Sequence, residues 1–127
     1  MRVRFVLAAV GFLAIVVGCG SQSIYRPPAT RDCLVQRGER FGGKLDFIAQ
    51  TAIGGALIAR LPDNEVTIVF GQSVSEGKQV ELAYKRLAFQ NVRGGLGDVL
   101  RRYGNAVTRW QEHPTALDLA LLEGCLR

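Results

Sequence analysis

A chain of 127 residues with 16 Lys and Arg, 11 Asp and Glu and a single His has room for one domain. One histidine, no Cys-x-x-Cys spacing and scattered carboxylates argue against a zinc site, a Ser–His–Asp triad and a glycosidase carboxylate pair. The hydrophobic content of 48% is ordinary for a globular chain, but part of it is concentrated in the first twenty residues.

That first segment places Arg2 and Arg4 before a 13-residue apolar run, Phe5 to Val17, and ends in Gly18-Cys19. This is the order of a secretory signal: charged region, apolar region, small residue at the cleavage site. At about 1.5 Å per residue the run falls short of a hydrocarbon core of about 30 Å. The alternatives are an uncleaved membrane anchor or a buried core helix. Val16-Val17-Gly18-Cys19 resembles a bacterial lipobox, the four residues read by lipoprotein signal peptidase (signal peptidase II). Val16 and Val17 stand where leucine and then alanine or serine are commonest. The resemblance implies that the Cys19 sulfur receives a diacylglycerol, that cleavage follows Gly18, and that the new amino group is acylated. Gly20 occupies the position where aspartate marks inner-membrane retention, so the resemblance implies an outer-membrane anchor facing the periplasm. Each buried methylene contributes about 0.8 kcal/mol, so one acyl chain holds a protein marginally and two or more hold it firmly.

The other two cysteines are Cys33 and Cys125. With Cys19 carrying lipid, an even pair remains, and in an oxidising compartment that pair is expected to bridge. The bridge would close almost the whole mature domain, worth roughly 4–5 kcal/mol in the chain-entropy model. The alternative is two separately buried thiols.

The organisation read from the residues is a signal peptide over 1–18, a lipidated tether over 19–31 and a folded domain over 32–127. The tether is polar, and Pro27-Pro28 stiffens it toward polyproline II. Apolar residues at Leu45, Ile48, Ala49, Ala52 and Ile53 predict a helix over 44–56. Leu61-Pro-Asp-Asn64 signals a turn, and Val66, Ile68 and Phe70 alternate along a strand over 65–71. Residues 56–61 can pair with it across the turn. Val80, Leu82 and Tyr84 alternate as a third strand over 79–85, although Val80, Ala83, Tyr84, Leu87, Ala88 and Val92 fit a helix as well. Leu96, Val99, Leu100, Tyr103, Val107 and Trp110 predict one helix over 96–112, stopped by Pro114. Thr115 and Asp118 have the order of a capping box for a last helix, which Gly124 would end just before Cys125. The fold class expected is α+β: a small antiparallel β-meander packed against helices, with two C-terminal helices and a disulfide closing the domain.

Little in this chain carries chemistry. His113 precedes a proline at a helix boundary and reads as exposed or capping; Ser73 and Asp98 have no reason to meet it. Arg93-Gly-Gly-Leu-Gly-Asp98 opens a helix and invites an anion-loop reading, but it lacks the Lys-Ser/Thr of a phosphate loop, and a plain turn is the simpler account. Removing Arg2 and Arg4 with the signal leaves 14 basic and 11 acidic residues, net +3. Arg101, Arg102, Asn105, Thr108 and Arg109 would share the polar face of the 96–112 helix, with Lys85, Arg86 and Arg93 upstream. That face suits anionic lipid headgroups, lipopolysaccharide phosphates or an acidic partner, or is simply solvated. No cofactor, metal, nucleic acid or small-molecule substrate is expected.

The functional expectation is a lipid-anchored periplasmic protein, a non-catalytic structural or accessory component of a secretion, conjugation or pilus assembly. Its partners would be the membrane, through the acyl chains on Cys19, and an envelope protein. The alternative is an immunity or inhibitor lipoprotein that binds a toxin or a wall hydrolase. Gly77-Lys-Gln-Val-Glu-Leu-Ala-Tyr84 is similar over these few residues to TrbH-type conjugal transfer lipoproteins, which implies a conjugation or secretion setting.

Overall fold

The computed structural model describes residues 24–91 and 96–127. The lipobox with Cys19, and Arg93, lie outside the described residues. The elements in chain order are α1 (Pro27–Gln36), β1 (Arg40–Phe41), α2 (Phe47–Thr51), β2 (Ala56–Arg60), β3 (Glu65–Phe70), α3 (Val74–Asn91), α4 (Leu96–Val99), β4 (Leu100–Tyr103), β5 (Ala106–Trp110) and α5 (Ala116–Cys125). The fold is α+β, and its five antiparallel strands lie in the order β1-β2-β3-β5-β4.

The sheet has helices on both faces because its central strand is apolar on both. Val66, Ile68 and Phe70 of β3 face a cluster with Leu34 and Cys33 of α1 and Leu122 and Cys125 of α5. Val69, on the opposite side, joins Ala49 of α2, Tyr84 of α3, Leu100 and Val107. Trp110, Phe70, Leu34, Ile68 and Leu122 are among the largest fully buried side chains, each stabilising the fold by about 1.5–3 kcal/mol.

Several expectations hold. β2 pairs with β3 across the turn, with Ala59 opposite Val66 and Arg60 opposite Glu65. Thr115 and Asp118 form a reciprocal capping box on α5, each side chain bonded to the other's backbone N–H. Cys33 and Cys125 are disulfide-bonded, 92 positions apart, with Cα atoms 5.3 Å from each other.

Other expectations are corrected. Residues 27–31 are not tether but the first turn of α1, because Pro27 sits in its first turn, where proline's missing N–H costs nothing. The helix expected over 44–56 contracts to the five residues of α2, after which the chain turns at Gly54-Gly55 into β2. Residues 79–85 are helical, inside α3. The place beside β3 that they were expected to fill is taken by β5. The meander is therefore β1-β2-β3, not three strands ending at 85. Two helices do fall in the C-terminal third, but α4 is one turn, and 100–110 is a β-hairpin rather than helix. Gly104-Asn105 forms its two-residue turn, with Gly104 at φ 59° and no positive φ at Asn105. Those signs are the type II′ pattern, which matches strand twist. The last helix runs one residue beyond Gly124, to Cys125.

Candidate functional site

The built part of this molecule is the place where the chain enters the folded body. Asn105, at the hairpin turn, is fully buried. Its Oδ1 accepts from the Tyr25 N–H at 2.8 Å, and its Nδ2 donates to the Tyr25 carbonyl at 2.8 Å. The same Nδ2 donates to the Gly71 carbonyl, also at 2.8 Å. One residue on, the Arg26 N–H donates to the Arg127 carbonyl at 2.7 Å, and the Arg127 N–H donates to Thr30 Oγ1 at 3.2 Å. The disulfide then ties α1 to α5. Tyr25 and Arg26, at the start of the described residues, are thus fastened to the β4–β5 turn and to Arg127.

The arginines expected on a single helical face are distributed by the hairpin instead. Neighbouring strand residues point to opposite faces, so Arg101 and Arg102 part company. Arg101 opposes Thr108 on the α1/α5 side, beside Tyr103. Burial pushes the Tyr103 hydroxyl up to about 12; its hydrogen bond to Glu123 adds to this and Arg101 opposes it. Arg102 and Arg109 share the other side, where helices meet them with carboxylates. Arg102 Nε lies 3.6 Å from Glu81 Oε1, and Arg109 Nη2 lies 3.0 Å from Asp46 Oδ2. Asn105 and Thr108, expected on the same polar face, have no exposed surface at all.

Asp46, which the residue pattern did not single out, collects three partners. It caps α2 by accepting from the Ala49 N–H at 2.9 Å. It accepts from the Tyr84 hydroxyl of α3 at 3.0 and 2.9 Å. It pairs with Arg109 of β5, whose guanidinium also lies 5.7 Å from the centre of the Tyr84 ring. Desolvation raises the Tyr84 hydroxyl well above its ordinary range; the Asp46 charge and hydrogen bond add to the rise, and Arg109 opposes it. Tyr84 is thereby kept as a proton donor and both Asp46 oxygens are occupied. The cluster fastens α2, α3 and β5 to one another. Its legible trace was Asp46 itself, a preferred N-cap residue ahead of Phe47.

The remaining candidates take structural parts. Ser73 Oγ accepts from the Glu76 N–H at 3.1 Å, at the start of α3. His113 is exposed beside the buried Pro114. Of the 93–98 loop, only Leu96, Gly97 and Asp98 fall among the described residues, in the single turn of α4. Among the described residues no group of three His, Cys, Asp or Glu could hold a metal ion, and no helix is long and apolar enough to cross a membrane. A cleft of about 250 Å³ lies at the opposite end of the sheet from Tyr25, lined by Arg60, Asp63, Glu65, Gln111 and Glu112 among others.

Compared with known proteins, the chain matches no family model, no curated protein and no solved structure.

Proposed function

We propose that this protein is a lipid-anchored component of the bacterial cell envelope, exported to the periplasm and held in the outer membrane by acyl chains on Cys19. Its role is structural or accessory within a secretion, conjugation or pilus assembly. The observation that carries this reading is the Cys33–Cys125 bridge. A disulfide closing a loop of this length belongs to an oxidising compartment. It also leaves Cys19 as the odd cysteine, at the end of a signal-like apolar run. The occupied Asp46–Tyr84–Arg109 network and the capping part of Ser73 favour a non-catalytic body.

The test is the intact mass of protein extracted from membranes, with and without reductant. The expected species starts at Cys19, carries acyl mass and gains two hydrogens on reduction. A full-length chain with no acyl mass overturns the anchor, and three titratable thiols overturn the export argument as well.

A further inference from the structure

The end of the body at which the chain enters is built from few parts. Tyr25 and Arg26 are held by Asn105 and Arg127. The Pro27 ring packs so closely on Gly55 that a Cβ there would lie 3.1 Å from it. Ile53, in the same loop, is 77% exposed, and Ile24 is 39% exposed. The Arg26 and Arg127 residues are exposed beside them.

We infer that this end, with Ile24, Arg26, Ile53 and Arg127, docks on the headgroup surface of the bilayer that holds Cys19. The inference rests on the lipid-anchor reading. Chain length favours it. Cys19 and Ile24 are five peptide steps apart, a reach of at most about 18 Å. The clasp at Tyr25–Arg26 prevents residues 25–31 from adding slack, so the leash is less than half as long as a tether ending at residue 31. A body of this size has a radius of gyration of about 13 Å. A leash of about 18 Å is too short to pass around it, so under this reading the entry end remains the part of the body nearest the bilayer, within reach of its surface. Exposed isoleucines and arginines are the side chains that such a surface accepts: the apolar ones reach below the phosphates and the guanidiniums pair with them. The far end is held away. β5 runs from Ala106 at the entry end to Trp110 at the other, and the ten residues of α5 start at that far end, about 15 Å away along the helix.

The experiment uses the full lipidated chain in vesicles of phosphatidylethanolamine and phosphatidylglycerol carrying a nitroxide quencher at the headgroup. Two variants are compared, Ile53→Trp at the entry end and Leu117→Trp on the first turn of α5. Both positions are more than three-quarters exposed, so neither substitution disturbs packing. The one native tryptophan, Trp110, is 2% exposed and gives both the same shielded background. Flotation of the vesicles and intact mass are read in parallel. The expected result is co-flotation with a quenching constant for Ile53→Trp about twofold or more above that for Leu117→Trp. Co-flotation with equal quenching, as when a second copy or another protein covers Ile53, overturns the docking and leaves the anchor standing. Protein that neither floats nor carries acyl mass overturns the anchor, and the docking with it.

Discussion

Asn105 and Tyr25, eighty positions apart, are joined by a reciprocal pair of hydrogen bonds, each 2.8 Å long. The side-chain amide of Asn105 treats the Tyr25 backbone as a neighbouring strand would, offering one donor and one acceptor. A further bond to the Gly71 carbonyl ties the amide to the end of β3. The turn of β4–β5 thereby decides where the folded body begins.

Asn105→Ala should therefore cost stability out of proportion to its size. It removes three hydrogen bonds and strands the Tyr25 N–H, the Tyr25 carbonyl and the Gly71 carbonyl. The expected loss is about 2–4 kcal/mol in urea unfolding, with faster amide exchange at Tyr25. Asn105→Asp keeps an acceptor for the Tyr25 N–H but loses both donated bonds, and should rescue little. A loss under about 0.5 kcal/mol for the alanine variant would show the clasp to be dispensable.

Replacing both bridging cysteines, Cys33→Ser with Cys125→Ser, should lower stability by roughly 4–5 kcal/mol through the larger conformational freedom of the unfolded chain. Urea midpoints of the oxidised, reduced and doubly substituted proteins check this. The reduced and substituted forms should coincide, and both should lie well below the oxidised one.

Gly77 sits in α3 where the helix crosses the β4–β5 turn. A Cβ there would lie 2.6 Å from the Gly104 carbonyl oxygen and 2.8 Å from the Asn105 Cα. Both neighbours are backbone and cannot swing aside, so Gly77→Ala should push α3 off the sheet and cost about 1–3 kcal/mol. Gly97→Ala, where nothing lies within 4 Å, is the control and should be neutral or slightly stabilising. Thermal unfolding of the two variants side by side separates steric crowding from a general intolerance of alanine.

The two raised tyrosines make stability fall on the alkaline side. An unfolded tyrosine loses its proton near pH 10, whereas Tyr84 and Tyr103 hold theirs above it in the folded protein. Their contribution is whole below pH 10 and is lost as the pH climbs from 10 toward the folded values, because only the unfolded chain ionises easily there. Urea midpoints measured on both sides of about pH 10 should show the decline. Tyr84→Phe should flatten it while lowering stability at neutral pH by about 1 kcal/mol, through the bonds lost to Asp46. An alkaline limb unchanged by that substitution would mean that other groups cause it.

Some of this architecture is legible in local residue order. The β2–β3 hairpin is, since Leu61-Pro-Asp-Asn64 can only turn and Val66, Ile68 and Phe70 alternate on either reading of their neighbours. So is α5, because Thr115 and Asp118 bond to each other's backbone within one turn. The 100–110 hairpin is not. β5 is buried on both faces, so Ala106, Val107, Thr108 and Trp110 show no alternation. Leu96, Leu100, Tyr103, Val107 and Trp110 then imitate helical spacing. The signal for it is Gly104-Asn105, a dipeptide of the kind that makes two-residue hairpin turns. The single arginine face goes with the helix, since residues that line up on a helix are split between two faces of a strand.

The chain alone determines whatever depends on contacts within a few residues; the pairing of Cys33 and Cys125 follows from the sequence only once Cys19 is set aside as a lipid carrier, and it is the structure that shows the bridge. The folded structure was required for every choice between two locally adequate conformations. Residues 79–85 alternate well enough for a strand and repeat well enough for a helix; they are helical because β5 occupies the place beside β3, leaving Val80 and Tyr84 to cover the sheet. Residues 27–31 suit an extended tether until the Cys33–Cys125 bridge and the Arg26–Arg127 bond bring them against α5, where a helix buries Thr30, Cys33 and Leu34. Local propensity differs between such alternatives by about 1 kcal/mol per residue or less, and burial of a single large side chain exceeds that. Packing therefore decides wherever the two compete.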